Sequence, residues 1–525
     1  MRVSRFLPLV PIVVLSLAAC TRQAAGRQEP ALPGFSFETV ATLEEEDPET
    51  GLFQLKLHSD RPLEVFYELI DTDGTVLTDA VYRVSGETTT LPEAVPYVRT
   101  WTTETPELYT LHFQMDGKDA WHPVAFRRVE PLKKDTLVVN GRKVPFKRAG
   151  FNPSGLNHSQ VLEELGRLKR ANVNALNAAS LPLPLRELCD TVGFYLYADT
   201  LAAPDPASFA VRYAYREVDI QPEDIPEGLF RISNRKQFTS LEDYTVRWWV
   251  ERDGRRMGFL PKHRLHFSTA PGASETFRLK LPDLEKPGEY RIVFESVLRK
   301  RQPLVEKGTV LATEEIVLKD NTAAAPYQPS GTLSVTEGDT RLVIRGKDVE
   351  MVFDRADGTV KSLKVKEKDL LDPAEGLHPV LPEPCRAQCT WSTAEGPVQL
   401  QATYLLPEET RRVRYTLYAD GALKVEGAGT LFRFRTQGEG RRYFGRGPDL
   451  TAAAAFKTIR KWNGEEGLHP ESSWLETGSL TVVGDRPFSF RCRELPDGTE
   501  TVIGPENGFV LVPGRNHHRT TKLNY

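Results

Sequence analysis

The chain has 525 residues, 40% of them hydrophobic, and its 68 Lys and Arg against 72 Asp and Glu leave a formal net charge of −4. That length is a prior for several domains. The balanced charge lacks the basic footprint of nucleic-acid binding, so no nucleic-acid partner is expected.

At the N-terminus, Arg2 and Arg5 precede the apolar stretch FLPLVPIVVLSLAA (Phe6 to Ala19), which stops at Cys20. A charged start, a short apolar core and small residues before a cysteine form a secretory signal, too short to span a bilayer. LAAC (Leu17 to Cys20) resembles a bacterial lipobox. The resemblance implies a signal peptide over 1–20, lipidation of Cys20 and a lipid anchor in the bacterial cell envelope. Thr21 resembles the outer-membrane sorting rule of enteric bacteria, with the membrane face left open. Residues 21–34 read as a polar, Pro-containing tether. After Cys20, the cysteines Cys189, Cys385, Cys389 and Cys492 form neither a zinc pattern nor a disulfide scaffold. No cofactor and no metal site are expected.

Residues 35–135 alternate apolar and polar side chains with period two, as in GLFQLKLHS, LEVFYELID and YTLHFQMDG, with turn signals such as DTDG (Asp71 to Gly74) between the runs. This predicts an antiparallel β-sandwich. Near residue 136 the period changes. SQVLEELGRLKRA (Ser159 to Ala171) has helical spacing, with Val161, Leu162, Leu165 and Leu168 on one face and Ser159 as its expected N-cap. In NALNAASLPLPLRELCDTVGFYLYADT (Asn174 to Thr200) strand, helix and strand follow one another. Residues 136–206 therefore predict roughly three parallel strands linked by two helices.

Period two returns in YTVRWWVERDG (Tyr244 to Gly254) and GEYRIVFESVL (Gly288 to Leu298), a second sandwich over 207–320. DNTAAAPYQPSG (Asp320 to Gly331) is a linker by composition. RLVIRGKDVEMVFDRADG and RRVRYTLYADGALKVEG open a third all-β region over 332–525.

The order of these pieces resembles the β-galactosidases of glycoside hydrolase family 2. WTTETPELYTL (Trp101 to Leu111) is similar to the strand that closes that family's second domain, and VNGRKVPFKRAGFN (Val139 to Asn152) to its entry into the catalytic barrel. AYREVDI, ISNRKQFTSLEDYTVRWWVERDG and FDRADGTVKSLKVKEKDLL resemble its fourth and fifth domains, and YFGRGPD (Tyr443 to Asp449) the start of a fifth-domain signature. The resemblance implies a mainly β, multidomain fold. Ig-like β-sandwiches and a C-terminal galactose-mutarotase-like β-sandwich would flank a truncated (β/α) barrel remnant.

It also implies chemistry that this chain departs from. Retaining glycosidases need two carboxylates about 5 Å apart, which this family places on later barrel strands, the acid/base in an Asn-Glu pair. A full barrel takes about 250 residues. Here the second sandwich begins long before that, and no Asn-Glu dipeptide occurs. The Glu-Tyr pair Glu289–Tyr290 lies in the second sandwich. Where the family has Arg-Thr-Ser-His-Tyr-Pro after the second barrel strand, this chain has Asn177, Ala178, Ala179, Ser180, Leu181 and Pro182. An Asp-Glu pair becomes Ala198 and Asp199, and the fifth-domain signature continues as Leu450, Ala452, Ala454 and Ala455. No catalytic residue is assigned, and the chain alone is expected to be inactive.

The expected role is carbohydrate binding, of β-galactoside type, or a structural part of an envelope complex. The alternatives are a β-galactosidase whose missing barrel a partner supplies, and a protein-docking module. Open strand edges of the remnant call for cover by flanking domains or a protein partner. Candidate carbohydrate contacts are Asp199, and Trp462 and Trp474, whose contexts KWNGEEG and ESSWLETG read as loops with exposed indoles. Trp248 and Trp249 are adjacent on a strand, so one faces inward and one outward. His517 and His518 lack metal-site spacing.

Overall fold

The structure is a computed structural model. It describes residues 33–514 apart from 91, 134–135, 178–180, 198–204, 206–208, 259–262, 287, 321–330, 394–395, 438–440, 448–456, 466 and 497. The chain is mainly β and multidomain. Among the described residues, α-helix is confined to three segments: α1 (His158–Arg170), α2 (Leu183–Val192) and α3 (Phe209–Tyr215). It divides into two compact units.

The first unit takes in residues up to 154, 174–203 and 237–239. It opens with a six-stranded antiparallel sheet: β1 (Phe35–Leu43), β2 (Gly51–Ile70), β3 (Val76–Thr89), β4 (Glu93–Val95), β5 (Tyr109–Met115) and β6 (Lys118–Val124). The long β2 pairs with β1 and β4 through its first half and with β5 through its second, with a register shift between Ser59 and Leu63. Its strict alternation buries Phe53, Leu55, Leu57, Val65, Tyr67 and Leu69 in one core. DTDG makes the turn into β3, with Gly74 donating to the Asp71 carbonyl at 3.0 Å from a φ of 89° that favours glycine.

Strands β7 (Val129–Lys133), β8 (Thr136–Val139) and β9 (Arg142–Pro145) form a small antiparallel sheet. Then comes the period switch: β10 (Arg148–Gly150), β11 (Ala175–Asn177) and β12 (Tyr195–Tyr197) pair in parallel, Arg148 opposite Ala175 and Ala175 opposite Tyr195. Between β11 and β12, α2 starts at Pro182, extended at ψ 153°, and ends at Gly193, left-handed at φ 87°.

The second unit takes in 155–173, 204–236 and 240 onward. Helix α1 buries Val161, Leu165, Gly166 and Leu168. Its N-cap is Asn157 and not Ser159: the Asn157 side chain accepts from the Gln160 amide at 3.0 Å, and Gln160 answers by accepting from the Asn157 amide at 2.9 Å. A capping box outcompetes a lone hydroxyl two residues on, because it satisfies two orphan donors at once. Strands β13 (Val218–Asp224), β14 (Leu229–Asn234) and β18 (Ser274–Arg278) make one sheet. β15 (Tyr244–Arg252), β16 (Arg255–Arg256), β17 (His263–Leu265), β19 (Glu289–Leu298) and β20 (Val310–Asp320) make another. Phe230, Ile232, Val246, Tyr290, Ile292 and Phe294 share a core with both sheets around them. From Ser334 to Pro513, seventeen strands among the described residues follow in one hydrogen-bonded order, and extra pairings bring late strands back to earlier ones, such as Phe432–Thr436 with Gly498–Gly504. Met351, Phe353, Tyr404, Tyr415, Phe434 and Phe490 lie in its core.

Candidate functional site

In parallel α/β units, chemistry gathers at the C-terminal strand ends. Here β10, β11 and β12 end in Gly150, Asn177 and Tyr197. None of the residues of these three strands is a carboxylate. Burial pushes the Tyr195 phenol up to about 12, so it is protonated at neutral pH. Cys189 on α2 is fully buried and likewise raised to about 12, which leaves it a thiol and not a nucleophile. No group of His, Cys, Asp or Glu side chains among the described residues is placed to hold a metal ion.

What this region retains is packing. Trp101 is fully buried, its indole N–H donates to the Asp190 carbonyl at 2.8 Å, and its ring meets Tyr195 edge-on at 5.6 Å. The Arg127 guanidinium lies 4.3 Å above that indole and holds the Asp190 carboxylate with two donors, at 2.5 and 3.2 Å. A planar fork on a carboxylate is the geometry arginine makes best. Glu104 accepts from the amides of Gln237, Phe238 and Thr239 at 2.7, 3.1 and 2.9 Å. With the Thr239 hydroxyl donating as well, at 2.9 Å, that carboxylate organises the backbone of residues 237–239.

The residues singled out from the sequence fall in different places. Cys20 and Asp199 lie outside the described residues, as do His517 and His518. Trp462 and Trp474 are not exposed loop residues. They end and line the strands Thr458–Trp462 and His469–Thr477, each 4% exposed. The Trp462 N–H donates to the Glu465 carbonyl at 3.0 Å beneath the Arg441 guanidinium, and Trp474 packs 6.4 Å from Phe444. Neither indole presents a face to a sugar. Both segments pair in strands, Trp462 opposite Arg441 and Trp474 opposite Val483, so cross-strand packing overrides their loop-like local sequence. Trp248 and Trp249 divide as alternation requires, Trp248 buried at 7% and Trp249 half-buried with its N–H on Glu251 at 2.6 Å. Cys385 and Cys389 are free thiols.

Glu289 has a structural employment. It accepts from Lys457 and from Ser473, the latter at 3.0 Å, and pairs with Arg291, which also holds Glu315 at 2.5 Å. Burial opposes ionisation of Glu289, but Lys457 and Arg291 together hold it below the usual carboxylate range. Lys457 is 3% exposed. Sequence spacing gave no sign of this cluster, since Lys457 and Ser473 lie more than 140 residues beyond Glu289, Arg291 and Glu315.

Residues 230–319 match the family model described as β-galactosidase, domain 4. β-Galactosidase of Clostridium acetobutylicum is 26% identical over 178 residues, 34% of this chain and 19% of that protein. β-Galactosidase of Priestia megaterium is 24% identical over 357 residues, 57% of this chain and 34% of that one. The chain is a β-galactosidase family member.

A β-galactosidase of Alteromonas mediterranea is 32% identical over 111 residues, 18% of this chain and 10% of its own length. The matches thus span about a third or less of these curated relatives. An FMN-binding β-glucuronidase structure from Facaelibacterium prausnitzii superposes on 31% of this chain and 28% of that one, at 17% identity and a TM-score of 0.28, too slight a likeness to bear on the fold. In this β-galactosidase family member the matched domain runs from Phe230 on β14 almost to the end of β20, and so contains Glu289, Arg291 and Glu315.

Proposed function

We propose that this β-galactosidase family member binds carbohydrate of β-galactoside type without hydrolysing it, as a lipid-anchored protein of the bacterial envelope. The observation that carries the reading is the parallel sheet, which has three strands among the described residues and no carboxylate on any of them. Hydrolysis with retention needs a carboxylate pair about 5 Å apart, and an eight-stranded barrel normally supplies the positions. The second sandwich already begins at Val218. The lipid anchor at Cys20, the outer-membrane location and the degenerate barrel rest on sequence.

One observation favours a second reading. Among the described residues no strand pairs with the outer edges of β10 or β12. Edges of that kind accept further strands, so a partner chain that completes the barrel would restore a hydrolase. The two readings separate on purified protein incubated with a nitrophenyl β-galactoside. No nitrophenol release, together with retention on immobilised galactan, is expected. Turnover that survives removal of contaminating hydrolases rejects the non-hydrolytic reading, and turnover only in a co-purified complex selects the second.

A further inference from the structure

One face of the first sandwich carries an arrangement that the vestigial sheet does not. On β6, Ala120 and Val124 turn toward the core while Trp121 points outward and stays 41% exposed. This indole is not loose. It stacks on His112 of β5, directly opposite in register, with ring centroids 3.9 Å apart and planes 13° from parallel. His112 is in turn clamped at both nitrogens, Nδ1 by Glu68 and Nε2 by Asp119, each at 2.8 Å. The hairpin that sets this register turns through Asp116 and Gly117, both at positive φ (48° and 69°), the two-residue turn whose twist matches paired strands. A large aromatic held still at the surface has already lost the rotamer freedom that binding would otherwise cost.

The surroundings indicate what it would hold. The same face presents Glu64, Glu68 and Asp79 beside Asp119, with Arg83 opposite Glu64 in register. Gln114, Phe66 and the 59% exposed Val81 complete the row. An indole face takes C–H groups, and carboxylates accept from hydroxyls. The acidic excess repels phosphates, sulfates and uronates. We infer that the outer face of β2, β5 and β6 is a binding platform for a neutral saccharide, with Trp121 as the stacking residue, Asp119 and Glu68 as hydroxyl acceptors and His112 as the positioning residue beneath the indole. This site rests on the carbohydrate-binding reading above and gives it a location away from the barrel segment.

Calorimetric titration of the purified full chain with β-1,4-galactotetraose tests it, with tetragalacturonate as the anionic counterpart. The expected results are binding of galactotetraose, at least tenfold weaker binding by Trp121→Ala, a smaller loss in Trp121→Phe, and at least tenfold weaker binding of tetragalacturonate to the unaltered chain. Because Trp121 is exposed, the variants should share the parent's circular dichroism, and Asp119→Asn offers an independent loss if one does not. Undiminished galactotetraose binding by Trp121→Ala overturns the site while leaving carbohydrate binding intact. Equal affinity for both saccharides overturns the ligand class, and absence of binding by the unaltered chain overturns both site and reading.

Discussion

His469 shows how far a single side chain in this fold is governed by burial. It is fully buried, its ring stacks on Phe490 at 4.6 Å, and its Nδ1 lies 3.0 Å from the Tyr443 hydroxyl. Burial holds its pKa below the ordinary 6.5, against a smaller opposing pull from Glu465. An imidazole depressed in the folded state stays neutral there while the unfolded chain takes up the proton. Its stabilising contribution is therefore present above pH 6.5 and lost as pH falls toward the folded value. The melting temperature should drop between pH 7.5 and 5. His469→Gln should melt lower at pH 7.5 but show a shallower decline, since His378, also depressed by burial and by Arg433, remains. Parallel declines in the two proteins would contradict this assignment. At the same scale, Glu289, the glutamate beside a tyrosine, is held by two cations and a hydroxyl.

At the scale of elements, alternation was the informative signal. β2, β15 and β19 could be read from the sequence because each buries every second residue, or nearly all, against a core. The parallel strands were legible too, because apolar runs flank an amphipathic helix that ends at Gly193. Two things were not. The strands holding Trp462 and Trp474 owe their pairing to partners distant in sequence, such as Tyr443 opposite Leu475. The start of α1 turned on which of two nearby polar residues makes the reciprocal bond. That assignment is testable: Asn157→Ala should cost about 0.5–2 kcal/mol, read by urea unfolding, and Ser159→Ala close to nothing. A larger loss at Ser159 than at Asn157 would reverse the assignment. The Trp121–His112 stack also escaped the sequence reading, because nothing local marks which of a strand's two faces stays bare.

For the whole molecule, the family was recognisable from motif order, and the matched domain over 230–319 bears it out. The proposed site was less recognisable, since departures from the family's residues at the strand ends point to no other ligand contact. The proposed anchor is tested by fractionation of expressing cells. The parent chain should pellet with membranes, and Cys20→Ser should appear in the soluble fraction; a parent chain already soluble would refute the anchor. The proposal that a β-galactosidase scaffold has been kept for binding and not for cleavage is decided by equilibrium dialysis of the purified full chain against β-1,4-galactotetraose, with saccharides on both sides quantified by chromatography. Excess tetrasaccharide is expected on the protein side, recovered intact. Equal concentrations across the membrane, or galactose accumulating with time, would contradict it.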